Sequence, residues 1–314
     1  MSLNEIELKQ HCEHILKSRR IKNKIVVLCE GAIPKIEGTL SPQTYHRMEQ
    51  MPDANFYNAC IPKWWKEYRP QFINCGSRQD VLNTFFQLTE LHNESPEQSY
   101  LEPNKLFALV DLDIQKADIN NYRFDNTESI FYHLYEQGKI NESNSKVHRI
   151  WVTGLIHKEA YFLNPDTQSV YQDYATTPNY NGNAIEIEKI YLDMVDELCQ
   201  DADLKSNWQT GFKRIIYCLG VNCDDIINFP SLWKSKYNQS QNDVEKKQLI
   251  LALLTIIKAK KYWNKIHPPS DFQLPKHRYR EMLMLEIGKF YSEQDGNINN
   301  HIPFFFNTLH SLIY

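Results

Sequence analysis

Two short apolar runs that end abruptly in acidic residues constrain this chain more than any other feature. Lys24–Cys29 reads KIVVLC and runs straight into Glu30-Gly31, and Leu106–Val110 reads LFALV and runs into Asp111-Leu112-Asp113. Continuous β-branched and apolar runs of this length are the mark of strands buried on both faces. Gln71–Cys75 and His148–Leu155 (HRIWVTGL) are expected to supply two more strands. Helical patterns lie around and between them: an amphipathic stretch over about 3–20, a short segment at His157–Leu163, and a helix opening at Ser77. There SRQD is a capping-box variant ahead of Val81, Leu82, Phe85, Phe86 and Leu88. Strands alternating with helices imply crossover connections, and so a mainly parallel sheet in an α/β domain over residues 1–165. Within it the stretch after Gly31 is punctuated by Pro34, Pro42 and Pro52. The aromatic cluster Phe56, Tyr57, Trp64, Trp65 and Tyr68 is expected to pack that stretch down.

Past Asn164 the pattern changes. TQSVYQDYATTPNYNGN reads as a polar connection, and helical periodicity then dominates, near 184–200, 206–220, 241–264, 278–292 and 302–313, giving a mainly helical region over 166–314. This half contrasts an acidic segment, Glu186–Asp203, with a basic one containing Lys258, Lys260, Lys261, Lys265, Lys276, Arg278 and Arg280.

The formal net charge of −4 excludes a globally basic protein, so any nucleic-acid contact must come from a local patch. No apolar run is long enough for a membrane span and the N-terminus lacks a signal-peptide core, which together predict a cytoplasmic chain. The 7 cysteines are odd in number and scattered, as expected of reduced thiols. Cys218 and Cys223 form a close pair, but with no second Cys/His pair nearby they are poor zinc ligands. No GxxxxGK[ST] loop occurs, which argues against a self-contained P-loop ATPase.

The chemistry concentrates at the strand ends. In parallel α/β sheets ligands bind beyond the carboxyl ends of the strands, where residues distant in sequence converge. Glu30 and Asp111 occupy such ends on separate strands, and Asp113 joins them if the chain stays extended, since side chains alternate with period two. Gathered carboxylates repel one another and raise a pKa, which a hard divalent cation relieves. The plainer reading makes Glu30 a turn cap and Asp111 and Asp113 ordinary loop acids.

A strand followed by Glu-Gly, and a later strand followed by Asp-x-Asp, resembles the Toprim domain of topoisomerases, bacterial primases and overcoming-lysogenization-defect nucleases. FINCGSRQDVLNTFF is similar to the strand, Cys-Gly turn and helix of compact Toprim nucleases of anti-phage defence. The resemblance covers roughly residues 24–165. It implies that Glu30 matches the Toprim glutamate, a general acid/base or metal-binding residue, and that Asp111 and Asp113 are metal-binding acids holding Mg2+ or Mn2+. It also implies a separate ABC-type ATPase as partner chain. The chain departs from the pattern after Glu30-Gly31, where Ala32, Ile33 and Pro34 stand in place of a nearby acid, and in a long insertion over 31–70.

Further candidates follow the strands. Asp118 and Glu128 are possible ligands for a second metal, against a reading as loop or helix acids. Lys158 is placed to stabilise phosphate charge and Glu159 to act as a ligand, against a reading as an exposed helix start. In KAKKYWNKIHPPSDFQLPKHRYR, the cations Lys258, Lys260, Lys261, Lys265, Arg278 and Arg280 alternate with aromatics, a composition suited to backbone phosphates and unpaired bases or simply to an amphipathic helix. Two functions remain in view: a Mg2+-dependent nuclease acting on DNA or RNA, and a non-catalytic module that engages a protein partner.

Overall fold

The computed structural model describes residues 4–33, 52–174, 176–219, 225–273 and 275–313. Pro34, Pro42, Cys223 and residues 34–51 of the insertion after Gly31 lie outside them. The first half is built as its apolar runs predict. Helix α1 (Glu5–Lys17) is closed at its start by an Asn4/Glu7 capping box, and strand β1 (Val26–Cys29) follows. Then come α2 (Pro52–Ala59), β2 (Gln71–Asn74), α3 (Arg78–Glu94) and β3 (Leu106–Val110). Ser77 caps α3 reciprocally with Asp80, as SRQD foretells. Next are α4 (Thr127–Leu134), a hairpin of β4 (Tyr135–Glu136) and β5 (Lys139–Ile140), strand β6 (Ile150–Val152) and α5 (Lys158–Phe162).

Strands β2-β1-β3-β6 form one sheet, every pair parallel. Val26–Cys29 and Leu106–Val110 are buried throughout, which is why they read as unbroken apolar runs rather than alternating ones.

The second half begins with a small antiparallel unit absent from the sequence reading. Strands β7 (Asn179–Tyr180) and β8 (Asn183–Ala184) pair across Asn181-Gly182, both with positive φ (50° and 83°), and β9 (Ile266–His267) pairs on the other side of β7. Asn-Gly favours this turn because both central positions need a left-handed backbone. Helices α6 (Ile187–Glu197), α7 (Trp208–Leu219), α8 (Phe229–Gln239), α9 (Asp243–Ile256), α10 (Lys276–Ser292) and α11 (His301–Ser311) complete this half.

One expected helix is broken. The 241–264 pattern stops at Ile256, Ile257 takes an extended conformation (ψ 129°), and a short turn resumes at Lys260. The β-branched run Thr255-Ile256-Ile257 weakens helix propagation. Just before it, the Leu254 carbonyl accepts the Ile156 N–H at 3.0 Å, tying α9 to the segment after β6.

The C-terminal helices fold back on the sheet. Phe305 packs edge-on to Trp151 of β6 and Phe306 to Phe72 of β2. Helix α10 crosses α2 closely: a Cβ on Gly288 would lie 2.5 Å from Ala59 Cβ and 3.1 Å from the Phe56 carbonyl. Of the aromatic cluster, Phe56, Tyr57 and Trp65 are buried as expected, but Trp64 and Tyr68 face outward. Among the described residues no helix is long and apolar enough to cross a membrane.

Candidate functional site

Register places the acids. Cys29 lies level with Leu109 in the β1/β3 pair, so Glu30 and Asp111 leave adjacent strands at nearly the same height. Glu30 Oε1 accepts the Asp111 backbone N–H at 2.8 Å, fastening the two strand ends together. Asp111 Oδ1 in turn accepts the Lys158 backbone N–H at 3.2 Å, so the start of α5 closes the site from the β6 side.

Gly31 makes the turn beneath. Its φ of 153° suits glycine, and it exchanges two backbone hydrogen bonds with Gly76 at 2.9 and 2.8 Å. A Cβ there would lie 2.5 Å from Asp53 Oδ2 and 2.6 Å from Asn74 Nδ2. That close approach brings in Asp53, an acid on α2 that sequence reasoning missed. No local signal marks it, because it reaches the site only through the packing of α2 on the sheet. Asp53 pairs with Lys158 Nζ, and Lys158 Nζ also lies 3.7 Å from Glu159 Oε1. Glu159 Oε2 is 3.1 Å from His157 Nδ1.

Asp113 departs from the sequence expectation. The chain does not stay extended through Asp111-Leu112-Asp113: Asp113 has φ 46°, its Oδ1 accepts the Ile114 N–H at 2.6 Å, and Lys258 Nζ approaches the same oxygen to 4.0 Å. The period-two argument therefore fails at this residue, although Asp113 stays within electrostatic reach of Glu30. Arg78, also missed, sits in the first turn of α3. It donates from Nη1 to the Leu112 carbonyl at 3.0 Å, bracing the loop between the two aspartates, and its charge acts on Glu30.

Burial and like charge dominate the electrostatics. Desolvation raises Glu30 to about 7 against the opposing Asp111 N–H, Arg78 and Lys158, with Asp113 adding to the rise. Asp111 is raised well above the usual carboxylate range by burial and by Glu30. Burial also opposes the charge on Lys158, but Glu159, Asp53 and Asp111 outweigh it and hold the ammonium charged. Burial likewise opposes ionisation of Glu159, yet His157 and Lys158 bring it down to about 2. Acid remains in excess: Glu30, Asp53, Asp111, Asp113 and Glu159 face Lys158, Arg78 and Lys258, and Lys258 is shared with Asp203 at 2.5 Å.

Among the described residues no group of three or more His, Cys, Asp or Glu side chains is gathered as a ready-made metal cage. The donor set nevertheless fits a hard cation that keeps most of its waters, since magnesium needs only one or two carboxylates plus solvent and substrate oxygens. Glu30 and Asp111 supply such a pair, each reluctant to ionise without a counter-charge.

The other sequence candidates lie elsewhere. Glu128 is held by Arg214 through hydrogen bonds of 2.6, 3.0 and 3.2 Å, which makes it a structural anchor between α4 and α7 rather than a free ligand. Asp118 is exposed beside Lys116. Of the basic stretch, Lys258 reaches Asp113, Lys261 and Lys265 both pair with Glu197 (2.9 and 3.2 Å), Arg278 pairs with Glu281, and Arg280 donates to the Asn264 carbonyl. Lys260 is exposed. Much of this stretch is thus spent on intramolecular partners. Comparison with family models, curated proteins and solved structures finds no match to this chain.

Proposed function

We propose that this chain is a divalent-cation-dependent nuclease of Toprim type that cleaves phosphodiester bonds of DNA or RNA. The observation that carries the reading is the convergence of Glu30 and Asp111, from adjacent parallel strands, into one half-buried pair whose ionisation is opposed by burial and by neighbouring acids, Glu30 acting on Asp111 and Asp113 on Glu30. These two would hold Mg2+ or Mn2+, with Asp113 and Asp53 as flanking donors; the cation would supply water activation and stabilisation of the leaving oxygen. Glu30, raised to about 7, is suited to exchange a proton near neutral pH. Lys158, kept charged by its neighbours, supplies positive charge for a phosphoryl oxygen once its ion pairs rearrange. The resemblance to anti-phage effectors adds a defence role with a separate ATPase chain as activator.

The pairing of Lys158 with Asp53, and of Lys258 beside Asp113, favours a second reading in which the chain is a binding module that engages a protein partner. Incubating plasmid, single-stranded DNA and total tRNA with Mg2+ or Mn2+ separates the two. The nuclease reading expects cleavage by the wild type that is lost in both Glu30→Gln and Asp111→Asn. Cleavage surviving either substitution overturns it.

A further inference from the structure

The connection from α2 to β2, Lys63–Arg69 (KWWKEYR), carries a feature the carboxylate site does not explain. Trp64 is 50% exposed and Tyr68 53% exposed, beside exposed Lys63, Lys66 and Arg69. The segment is nonetheless fixed. A turn closes it from the Trp65 N–H to the Pro62 carbonyl at 3.0 Å, the Lys63 N–H reaches the Ser292 carbonyl of α10, and Arg69 Nε donates to the Trp65 carbonyl at 2.9 Å. Buried Trp65 anchors it. Trp64 lies parallel to Trp65 (centroids 6.0 Å, 3° between planes) and His310 meets it edge-on at 4.8 Å. Tyr68 is held outward by a left-handed backbone (φ 49°), a conformation uncommon for a bulky side chain.

Rigid, outward-facing rings spaced among cations are what an unpaired strand requires: bases stack on the rings while Lys and Arg meet the phosphates. We propose that Lys63–Arg69 is a docking surface for single-stranded nucleic acid, distinct from the carboxylate site. The proposal rests on the nuclease reading for its biological sense, but its binding test does not depend on cleavage. The segment enters β2 at its amino end, whereas Glu30 and Asp111 lie past the carboxyl ends. The length of β2, about 13 Å at ~3.3 Å per residue, is a scale for that separation. A strand held here is therefore bound away from the carboxylates, at the opposite end of the sheet. Local charge favours this occupant: Lys63 is paired with Glu293 at 2.5 Å, and Lys66 and Arg69 then outnumber Glu67 on a chain of net charge −4. A membrane surface is the poorer fit, because Glu67 stands between the two rings and no aliphatic side chain in the segment is exposed.

The test is binding of fluorescein-labelled oligo-dT and oligo-rU to the full-length chain in EDTA, followed by anisotropy. The variants are Trp64→Ala with Tyr68→Asn (asparagine tolerates the left-handed backbone) and Lys66→Ala with Arg69→Ala, each checked for folding by circular dichroism. The aromatic pair is expected to weaken binding at least tenfold. The cation pair should flatten the slope of log K against log salt by about 1.4. Wild-type affinity in the folded aromatic variant, no binding by wild type, or binding to phosphatidylserine vesicles in place of oligonucleotide overturns the proposal. Failed cleavage with intact binding overturns the nuclease reading alone.

Discussion

Replacing Glu30 with Gln should stabilise the cation-free protein above neutral pH, the opposite of the usual result of altering a half-buried, hydrogen-bonded side chain. Glu30 is raised from 4.5 to about 7 by burial, with Asp113 contributing. A carboxyl whose folded-state pKa exceeds its unfolded value contributes stability that is fully present below the unfolded pKa and lost as pH rises through the folded one. The wild type should therefore lose about 3 kcal/mol between pH 4.5 and 8 on account of this group, at about 1.4 kcal/mol per pH unit. Glutamine keeps an oxygen to accept the Asp111 N–H, removes the titration, and relieves Asp111 of its largest like-charge neighbour. Urea unfolding of wild type and Glu30→Gln in EDTA at pH 5, 6, 7 and 8 reads the effect. The difference in unfolding free energy should move in favour of the variant by about 2–3 kcal/mol across that range, and millimolar Mg2+ should stabilise the wild type but not the variant. A difference independent of pH, or a variant less stable at pH 8, would refute the claim that burial and repulsion set the state of Glu30.

Lys158→Met should cost about 3 kcal/mol by leaving Asp53 and Glu159 without their shared cation, and Lys158→Met with Asp53→Asn should recover part of that in the same unfolding assay. Arg214→Met should cost about 3–5 kcal/mol by stranding Glu128, since the Arg214 side chain is 0% exposed; Glu128→Gln added to it should give less than the sum of the single losses. Gly31→Ala forces a Cβ against Asp53 and Asn74 at a strained φ, so about 1–3 kcal/mol of stability should be lost together with most of the Mg2+-dependent stabilisation.

The four strands were legible because a parallel sheet buries both faces of each strand, and Val26–Cys29 and Leu106–Val110 have no polar residue to disguise them. Their ends were less so: the expected strands open at Lys24 and His148, whereas the observed ones open at Val26 and Ile150, with Ile25 and Arg149 lending only a carbonyl to the neighbouring strand. Short hairpins hid in segments that read as polar, although Asn181-Gly182 was a usable turn signal. At the site, Glu30 and Asp111 could be read because strand register alone brings them together. Asp113 could not be oriented, because its left-handed backbone answers to the Ile114 N–H and Lys258 rather than to strand alternation. Asp53 and Arg78 come from helices whose packing sets their position, and no local pattern announces them. The basic residues from Lys258 onward were visible as charge, but the engagement of Lys258 by Asp203 and of Lys261 and Lys265 by Glu197 depends on tertiary contacts.

The central claim is that Glu30 and Asp111 together form a divalent-cation site, and direct Mn2+ titration of the full-length chain at pH 7.5, followed calorimetrically and by water-proton relaxation, tests it most directly. Saturable binding by wild type, weakened at least tenfold in both Glu30→Gln and Asp111→Asn, is the predicted result. Saturable binding that is unchanged in either variant, or no binding by wild type, would contradict it.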